Sequence, residues 1–178
     1  MTFQRCSWAG DEEIYIKYHD EEWGVPTHDD HELFEMLVLE SFQAGLSWIT
    51  ILKKRENFKE AFDDFDVEKV ALYGEDKINE LLENEGIIRH KGKINAAINN
   101  AKIFIDIQKE FGSFDRYIWG FTDGKIIKAE YLTESDLSKE ISKDLKKRGM
   151  KFVGPTIIYS YLESIGIIDN HQKTCFKY

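Results

Sequence analysis

Residues 145–166, LKKRGMKFVGPTIIYSYLESIG, contain two helical patterns separated by a short turn that carries glycine. The first pattern ends at Gly149, and glycine often follows the last turn of a helix because it tolerates a left-handed backbone. The second pattern begins at Pro155, where the missing proline N–H costs nothing because the first helical N–H groups lack partners anyway. The sequence therefore predicts two helices joined by a tight hairpin.

This hairpin has two possible roles. Its amides and the N-terminus of the second helix could donate hydrogen bonds to phosphate, as in the helix-hairpin-helix motif that holds a DNA backbone. It could equally be an ordinary connection between two packed helices. The hairpin sequence alone leaves both roles open.

The rest of the chain is also dominated by helical patterns. Leu33, Phe34, Leu37 and Val38 recur at helical spacing after an aspartate cap. Further helices are predicted over 46–62, 66–74, 75–86, 92–112 and 133–149, with Gly86 and Gly112 as helix ends, and only 123–132 can be extended. The fold class is therefore all-α, and we expect one helical domain over residues 1–178.

Composition limits the setting of the protein. Two cysteines in 178 residues do not make a disulfide scaffold and favour a reducing compartment. The N-terminus has no apolar run behind a basic start, and no stretch approaches 18 uncharged apolar residues. We expect a cytoplasmic monomer with no membrane partner.

Charge is distributed unevenly along the chain. The net charge is −9, and residues 1–40 account for all of it, with 2 basic and 11 acidic residues. Basic residues cluster at Lys53–Arg55, Arg89–Lys93 and Lys146–Lys151. These clusters could bind phosphate, or they could be solvated helix ends, where Lys and Arg favour the helix dipole.

Both cysteines stand near a histidine, one pair at each end of the chain. Cys6 is followed by His19, and His171 precedes Cys175 with three residues between them. Two cysteines and two histidines form a tetrahedral zinc set, and a site closed by four protein ligands is structural. Such a metal would join the two ends of the chain. The alternative is two unrelated thiols and two ordinary histidines.

Aromatic residues crowd the first 48 positions, and one acid ends an apolar helix. Tyr15, Tyr18 and His19 share a helix face if their segment is helical. Glu40 follows the apolar run FEMLVL, so its carboxylate can be buried, and buried carboxylates need partners or a function. The alternative is a solvated Glu40 beside ordinary core aromatics, which are Trp8, Tyr15, Tyr18, Trp23 and Trp48.

Several blocks in order resemble the DNA-3-methyladenine glycosylase I family of the helix-hairpin-helix superfamily. These blocks are YHDEEWGVP, LFEMLVLESFQAGLSWITILKKRENF, GIIRHKGKINA and LKKRGMKFVGPTIIYSY. The resemblance runs nearly end to end. It implies a helix-hairpin-helix glycosylase fold whose terminal segments are clipped by structural zinc on Cys6, His19, His171 and Cys175.

The resemblance also implies an activity on double-stranded DNA. A monofunctional base-excision repair enzyme would flip 3-methyladenine out of the duplex and hydrolyse its glycosidic bond. Glu40 would contact the base, and Tyr18 and Trp48 would enclose it, with Tyr15 and Trp23 beside them and Trp8 lining the pocket. Gly45 and Leu46 would approach the gap left in the duplex. The candidates for phosphate contacts are Arg55, Arg89, Lys93 and Lys151.

The chain departs from the superfamily pattern at two places. Phe152 stands where the usual hairpin has its first glycine. The superfamily's aspartate beyond the hairpin has only Asp169 and Asn170 as counterparts, and both adjoin His171, so we expect neither to reach the base.

Two other functions remain open. A glycosylase with lyase activity would need a lysine nucleophile, for which only Lys151 is suitably placed. A non-catalytic, zinc-clipped helical DNA-binding module would need no function for Glu40, and the acidic N-terminal 40 residues favour it.

Overall fold

The computed structural model describes residues 3–130 and 132–178, and this part of the chain is predominantly helical, as predicted. The α-helices are α1 Glu13–Glu21, α2 Asp30–Gln43, α3 Trp48–Ala61, α4 Val67–Ala71, α5 Glu75–Glu83, α6 Lys91–Phe111, α7 Phe114–Gly120, α8 Asp136–Lys147 and α9 Pro155–Ser164. Short 3₁₀ segments occur at Ser7–Ala9 and Asp63–Phe65. Two strands of two residues each, β1 Ile127–Lys128 and β2 Ile168–Asp169, pair in parallel, with Ile127 opposite Ile168.

Side-chain caps and glycines fix many of the helix ends. Asp29 accepts a hydrogen bond from the amide of His31 at the start of α2, and Ser135 forms a capping box at the start of α8. Gly112 ends α6 with a φ of 89°, a backbone angle that side chains disfavour. These ends agree with the sequence predictions.

Some predicted boundaries were wrong, and the helix predicted over 66–74 ends already at Ala71. Helix α5 ends at Glu83 rather than Gly86, because the side chain of Asn84 accepts the amide of Gly86 at 2.8 Å and turns the chain earlier. The predicted extended segment 123–132 forms a strand only at Ile127–Lys128. Tyr131, which belongs to that segment, lies outside the described residues.

Helix α2 runs through the centre of the hydrophobic core. Every residue from Leu33 to Phe42 is buried, including the two acids Glu35 and Glu40. A helix buried on all sides must pack against neighbours all round, and α3, α6, α7 and α9 surround it. Burial on all sides explains why Glu40 cannot face water, which excludes its interpretation as a solvated helix-terminal residue.

The two ends of the chain lie against each other. The amide of Phe176 donates to the carbonyl of Gln4 at 2.8 Å, and the side chains of Gln172 and Ser7 are hydrogen-bonded at 2.8 Å. Lys177 Nζ donates to the carbonyl of Asp20 at 2.8 Å. These bonds join the N-terminal segment to the C-terminal tail, as the metal hypothesis requires. None of the helices among the described residues has the length and hydrophobicity needed to cross a membrane.

Candidate active site

A pocket of about 180 Å³ lies where α1, α2, α3 and α9 meet. This volume is small compared with the roughly 300–1,000 Å³ of pockets for drug-sized ligands, so it suits a single ring system. The predicted Tyr15, Tyr18, Trp23, Glu40 and Trp48 all line it, as does Trp8. Three lining residues were not predicted: Gln43, Ser160 and Glu163.

Aromatic rings form most of the pocket wall. Tyr18 and Trp48 lie with ring centroids 5.5 Å apart and an interplanar angle of 51°. Trp8 contacts Tyr15 at 5.1 Å and Trp23 at 4.9 Å between centroids. The faces of such rings carry negative electrostatic potential, which attracts cations. The wall therefore favours a flat ligand, and a positively charged one above all.

Glu40 lies among these rings with very little access to water. Its side chain is on α2 and the residue is 3% exposed, and Oε2 has no hydrogen-bond partner among the described residues. Burial, and then the nearby charge of Glu163, raise the pKa of Glu40 well above its ordinary value. A buried carboxyl oxygen without a partner is costly, so this oxygen is available to a ligand that brings a donor.

A second carboxyl group, Glu163 on α9, also lines the pocket. Burial raises its pKa to about 7, while a hydrogen bond from Asn170 opposes the shift. That bond joins Asn170 Nδ2 to Glu163 Oε2 at 3.2 Å. The sequence carried a signal for Glu163, because it follows the apolar run TIIYSYL much as Glu40 follows FEMLVL.

The predicted metal ligands converge beside this pocket. The ligand atoms of Cys6, His19 and Cys175 lie within 4.8 Å of one another, and Cys175 Sγ is 3.4 Å from His19 Nε2. Zinc–ligand bonds of about 2.0–2.3 Å in a tetrahedron place ligand atoms roughly 3.3–3.8 Å apart, which the 3.4 Å separation fits. The ring of His171 lies 5.6 Å from that of His19, and its buried Nε2 has no partner in the described part of the chain.

A carboxylate contacts the Nδ1 atom of each histidine and orients its ring. His19 Nδ1 is 2.8 Å from Asp20 Oδ1, and His171 Nδ1 is 2.7 Å from Asp169 Oδ1. This leaves both Nε2 atoms directed away from the carboxylates, an arrangement typical of histidines that bind metal. The thiols and the imidazole of Cys6, His19 and Cys175 thus suit a zinc ion, while His171 lies beside this group rather than within it. Asp169 accepts a hydrogen bond from His171 and is not among the residues that line the pocket.

A short loop follows α2 at the pocket's edge and carries Gly45 and Leu46. Gly45 has a φ of 77°, and a Cβ there would meet nothing within 4 Å, so backbone conformation rather than space favours glycine. Leu46 is 39% exposed. An exposed leucine on a tight turn beside the pocket is suitably placed to enter another molecule.

Two neighbouring asparagines of α6 hold the hairpin between α8 and α9. Asn99 Nδ2 donates to the carbonyl of Gly149 at 2.8 Å. Asn100 forms two bonds with the backbone of Lys151, accepting its amide at 2.9 Å and donating to its carbonyl at 2.8 Å. Both asparagines were missed, although a polar pair inside the apolar helix pattern AAINNAKIF was a visible signal. Phe152 has a φ of 55°, so it adopts the left-handed backbone that the usual glycine favours.

The four predicted phosphate contacts differ in their surroundings. Arg89 and Lys151 are exposed. Arg55 instead forms a bidentate ion pair with Glu22, at 2.7 and 2.8 Å, and a third contact with Glu35 at 3.1 Å. Lys93 is 6% exposed, and its Nζ donates to the carbonyls of Phe42 and Ala44 at 2.9 and 2.6 Å. Arg55 and Lys93 therefore have internal partners, which corrects the prediction of direct phosphate contacts for these two residues.

Comparisons with known proteins agree with one another. The sequence model of the methyladenine glycosylase family matches residues 8–178. DNA-3-methyladenine glycosylase 1 of Escherichia coli (strain K12) is 44% identical over 181 residues, covering 98% of this chain and 97% of that protein. A crystal structure of 3-methyladenine DNA glycosylase I has a TM-score of 0.94 at 45% identity and covers 97% of this chain and 98% of its own. A variant of 3-methyladenine DNA glycosylase I crystallised with 3-methyladenine has a TM-score of 0.93 at 39% identity, with coverage of 97% and 96%. This chain therefore belongs to the methyladenine glycosylase family.

Proposed function

We propose that this protein is a monofunctional DNA glycosylase of base-excision repair that flips 3-methyladenine out of alkylated duplex DNA and hydrolyses its bond to the sugar. One glycosylase domain over residues 1–178 would carry this activity. The observation that carries the proposal is Glu40, a buried carboxyl group with an unpartnered oxygen inside a small aromatic pocket. The family membership and the relative that binds 3-methyladenine support it.

The pocket suits the chemistry of the lesion. Methylation at N3 makes the nucleoside base cationic, and aromatic faces attract a cation by about 0.5–2 kcal/mol per contact. Tyr18 and Trp48 would supply these faces. Glu40 would accept hydrogen bonds from the exocyclic amine and ring edge, worth roughly 1.5–3 kcal/mol each when a charge is involved. Unmodified adenine is neutral, so it gains less from both.

Cleavage of the glycosidic bond to the cationic base needs little acid catalysis. When the bond between the sugar carbon C1′ and the base nitrogen N9 breaks, its electron pair neutralises the base cation, so the base leaves as a neutral molecule. Water adds to C1′ and loses a proton. The oxocarbenium-like transition state would be stabilised by the Glu40 carboxylate and by DNA phosphates.

DNA binding would involve the hairpin and the loop after α2. We propose that the hairpin around Gly149–Gly154 is a helix-hairpin-helix motif whose amides hold the DNA backbone, supported by the rigid anchoring through Asn99 and Asn100. Exposed Arg89 and Lys151 would add phosphate contacts. Gly45 and Leu46 would fill the gap left by the flipped base.

A structural zinc ion would complete the fold. Cys6, His19, His171 and Cys175 would hold it, and with four protein ligands it would clip the N-terminal segment to the C-terminal tail. When bound, the ion would stabilise this end of the pocket, since Trp8 packs against His19 and Trp23 packs against His171. No catalytic step needs the ion.

The first test is release of free 3-methyladenine from methylated duplex DNA, with unmethylated duplex as the control. Release by the wild type supports the glycosylase, whereas no release by the folded protein would leave the DNA-binding module. Borohydride trapping on abasic DNA separates the monofunctional enzyme from a lyase. We expect no trapping, because none of the described residues that line the pocket is a lysine.

A further inference from the structure

The base pocket contains two carboxyl groups, and the function proposed above uses only one. Glu40 comes from α2 and Glu163 from α9, and both line the same cavity of about 180 Å³. Two carboxyl groups in one small cavity rarely ionise together, because like charges in a poorly solvated site repel. The question is therefore which of the two carries the charge in the empty pocket.

The surroundings of the two groups differ. Glu163 is less buried than Glu40, and Asn170 Nδ2 donates to its Oε2 at 3.2 Å, a bond that favours the ionised form. Glu40 is buried, and its Oε2 has no donor among the residues of the described chain. Geometry alone therefore assigns the charge to Glu163 and the proton to Glu40. The pKa of Glu163, raised to about 7, allows this ionisation close to neutral pH.

Other titratable groups around Glu163 do not compensate its charge. Burial, together with the nearby charge of Glu163, raises the pKa of Tyr18 on α1 and of Tyr159 on α9. Both tyrosines are therefore neutral. Tyr15 on α1 faces the same cavity and is also kept neutral by burial. Arg55, whose charge acts on Tyr18, is engaged by Glu22 and Glu35. The cavity therefore carries a net negative charge when Glu163 is ionised.

We propose that Glu163 is the resident negative charge of the base pocket, which draws in the cationic alkylated base and keeps Glu40 protonated until that base arrives. This inference rests on the proposed glycosylase function. Arrival of the cation then favours transfer of the Glu40 proton to solvent water, which frees both carboxylate oxygens to accept hydrogen bonds. Glu163 would thereby act as a specificity residue, because a positively charged base binds more strongly beside it than a neutral base does.

Glu163→Gln is the appropriate variant because the amide has the shape of the acid and still offers Asn170 an oxygen acceptor. The measurement is kcat/KM for release of 3-methyladenine from methylated duplex between pH 5.5 and 8.5, because this quantity reports the ionisation of the free enzyme. Asp106→Asn is the matched control, since Asp106 is exposed on α6 and lies outside the pocket lining.

The proposal predicts a ratio that changes with pH. Below about pH 6 Glu163 is protonated in the wild type, so wild type and Glu163→Gln should have similar kcat/KM. At pH 8 the wild type should be faster by about tenfold, the factor that corresponds to one pKa unit of interaction. The control should match the wild type at every pH.

A ratio that is constant across this pH range, whether one or larger, would overturn the proposal, because a purely structural role does not titrate. If Glu163→Gln does not fold, Glu163→Asp keeps the charge and should retain the pH profile of the wild type; a flat profile in that folded variant would also overturn it. Absence of any release by the wild type would instead contradict the glycosylase function itself.

Discussion

Lys93→Met tests whether this lysine stabilises the loop after α2 rather than binding phosphate. Lys93 Nζ donates to the carbonyls of Phe42 and Ala44, which close α2 immediately before Gly45 and Leu46. Methionine has a similar length but no donor, so both carbonyls lose their charged partner. A hydrogen bond from a charged donor contributes roughly 1.5–3 kcal/mol.

The net loss is smaller than the sum of the two bonds. Burial of an ammonium group is itself unfavourable, as the lowered pKa of Lys93 indicates, and methionine removes that cost. Ala44 lies at the edge of the loop and is half-buried, so water can replace part of its bond. We expect the free energy of unfolding to fall by about 2–3 kcal/mol.

The assay is urea unfolding, with Lys91→Met as the matched control. Lys91 begins the same helix and is exposed, so its substitution should change stability by less than about 0.5 kcal/mol. Excision by Lys93→Met should also decrease, because the loop that carries Leu46 loses its anchor.

The salt dependence of DNA binding distinguishes the two roles. Each phosphate contact contributes about 0.9 to the slope of log K against log salt. We expect Lys93→Met to leave this slope unchanged and Lys151→Gln to reduce it by about 0.9. Unchanged stability together with a reduced slope in Lys93→Met would refute the internal role and restore the phosphate contact.

Three further predictions concern the metal, the hairpin and the pocket charge. Metal analysis should find one zinc ion per wild-type chain and none in Cys175→Ser, which should also have a lower melting temperature. A chelator should lower the melting temperature of the wild type but not that of Cys175→Ser. Phe152→Gly should be more stable to urea than Phe152→Ala by about 1 kcal/mol, because only glycine relieves the positive φ; equal stability would contradict this strain. Glu163 has a higher pKa in the folded than in the unfolded chain, so wild-type stability should fall relative to Glu163→Gln as pH rises from the ordinary 4.5 through about 7. Between pH 4 and pH 8 urea unfolding should show a relative change of about 3 kcal/mol in favour of the variant, and the absence of a pH-dependent change would contradict the buried charge.

Local signals in the sequence predicted most of the helical architecture. Aspartate and serine caps, Gly112, Gly149 and Pro155 act within a few residues, so each can be read without knowledge of the rest of the fold. The burial of Glu40 was one of two possibilities that the sequence left open, and the packing of α3, α6, α7 and α9 around α2 decides between them.

Partners distant in sequence were harder to predict. Arg55 and Lys93 belong to basic clusters typical of phosphate binding, yet acids and carbonyls 20 to 51 residues away engage them. Glu163 and Glu40 are far apart in the sequence, and only the packing of α9 on α2 brings both to one pocket. A pattern within one segment cannot reveal which side chain from another segment will meet it.

The resemblance to a known family supplied what periodicity could not. The spacing of Cys6, His19, His171 and Cys175 permits zinc but does not require it, and the structure adds the two carboxylates behind the histidines. The sequence alone left two possible roles for the hairpin, and the structure adds that Asn99 and Asn100 hold its backbone by hydrogen bonds.

The most direct test of the central claim is single-turnover release of 3-methyladenine from methylated duplex DNA by the wild type and by Glu40→Gln, with Glu60→Gln as an exposed control on α3. Loss of a charged hydrogen bond of roughly 1.5–3 kcal/mol predicts a rate lower by roughly 10- to 150-fold in Glu40→Gln, with unchanged release by the control. Equal rates for wild type and Glu40→Gln would remove Glu40 from the reaction, and no release by the folded wild type would contradict the glycosylase itself.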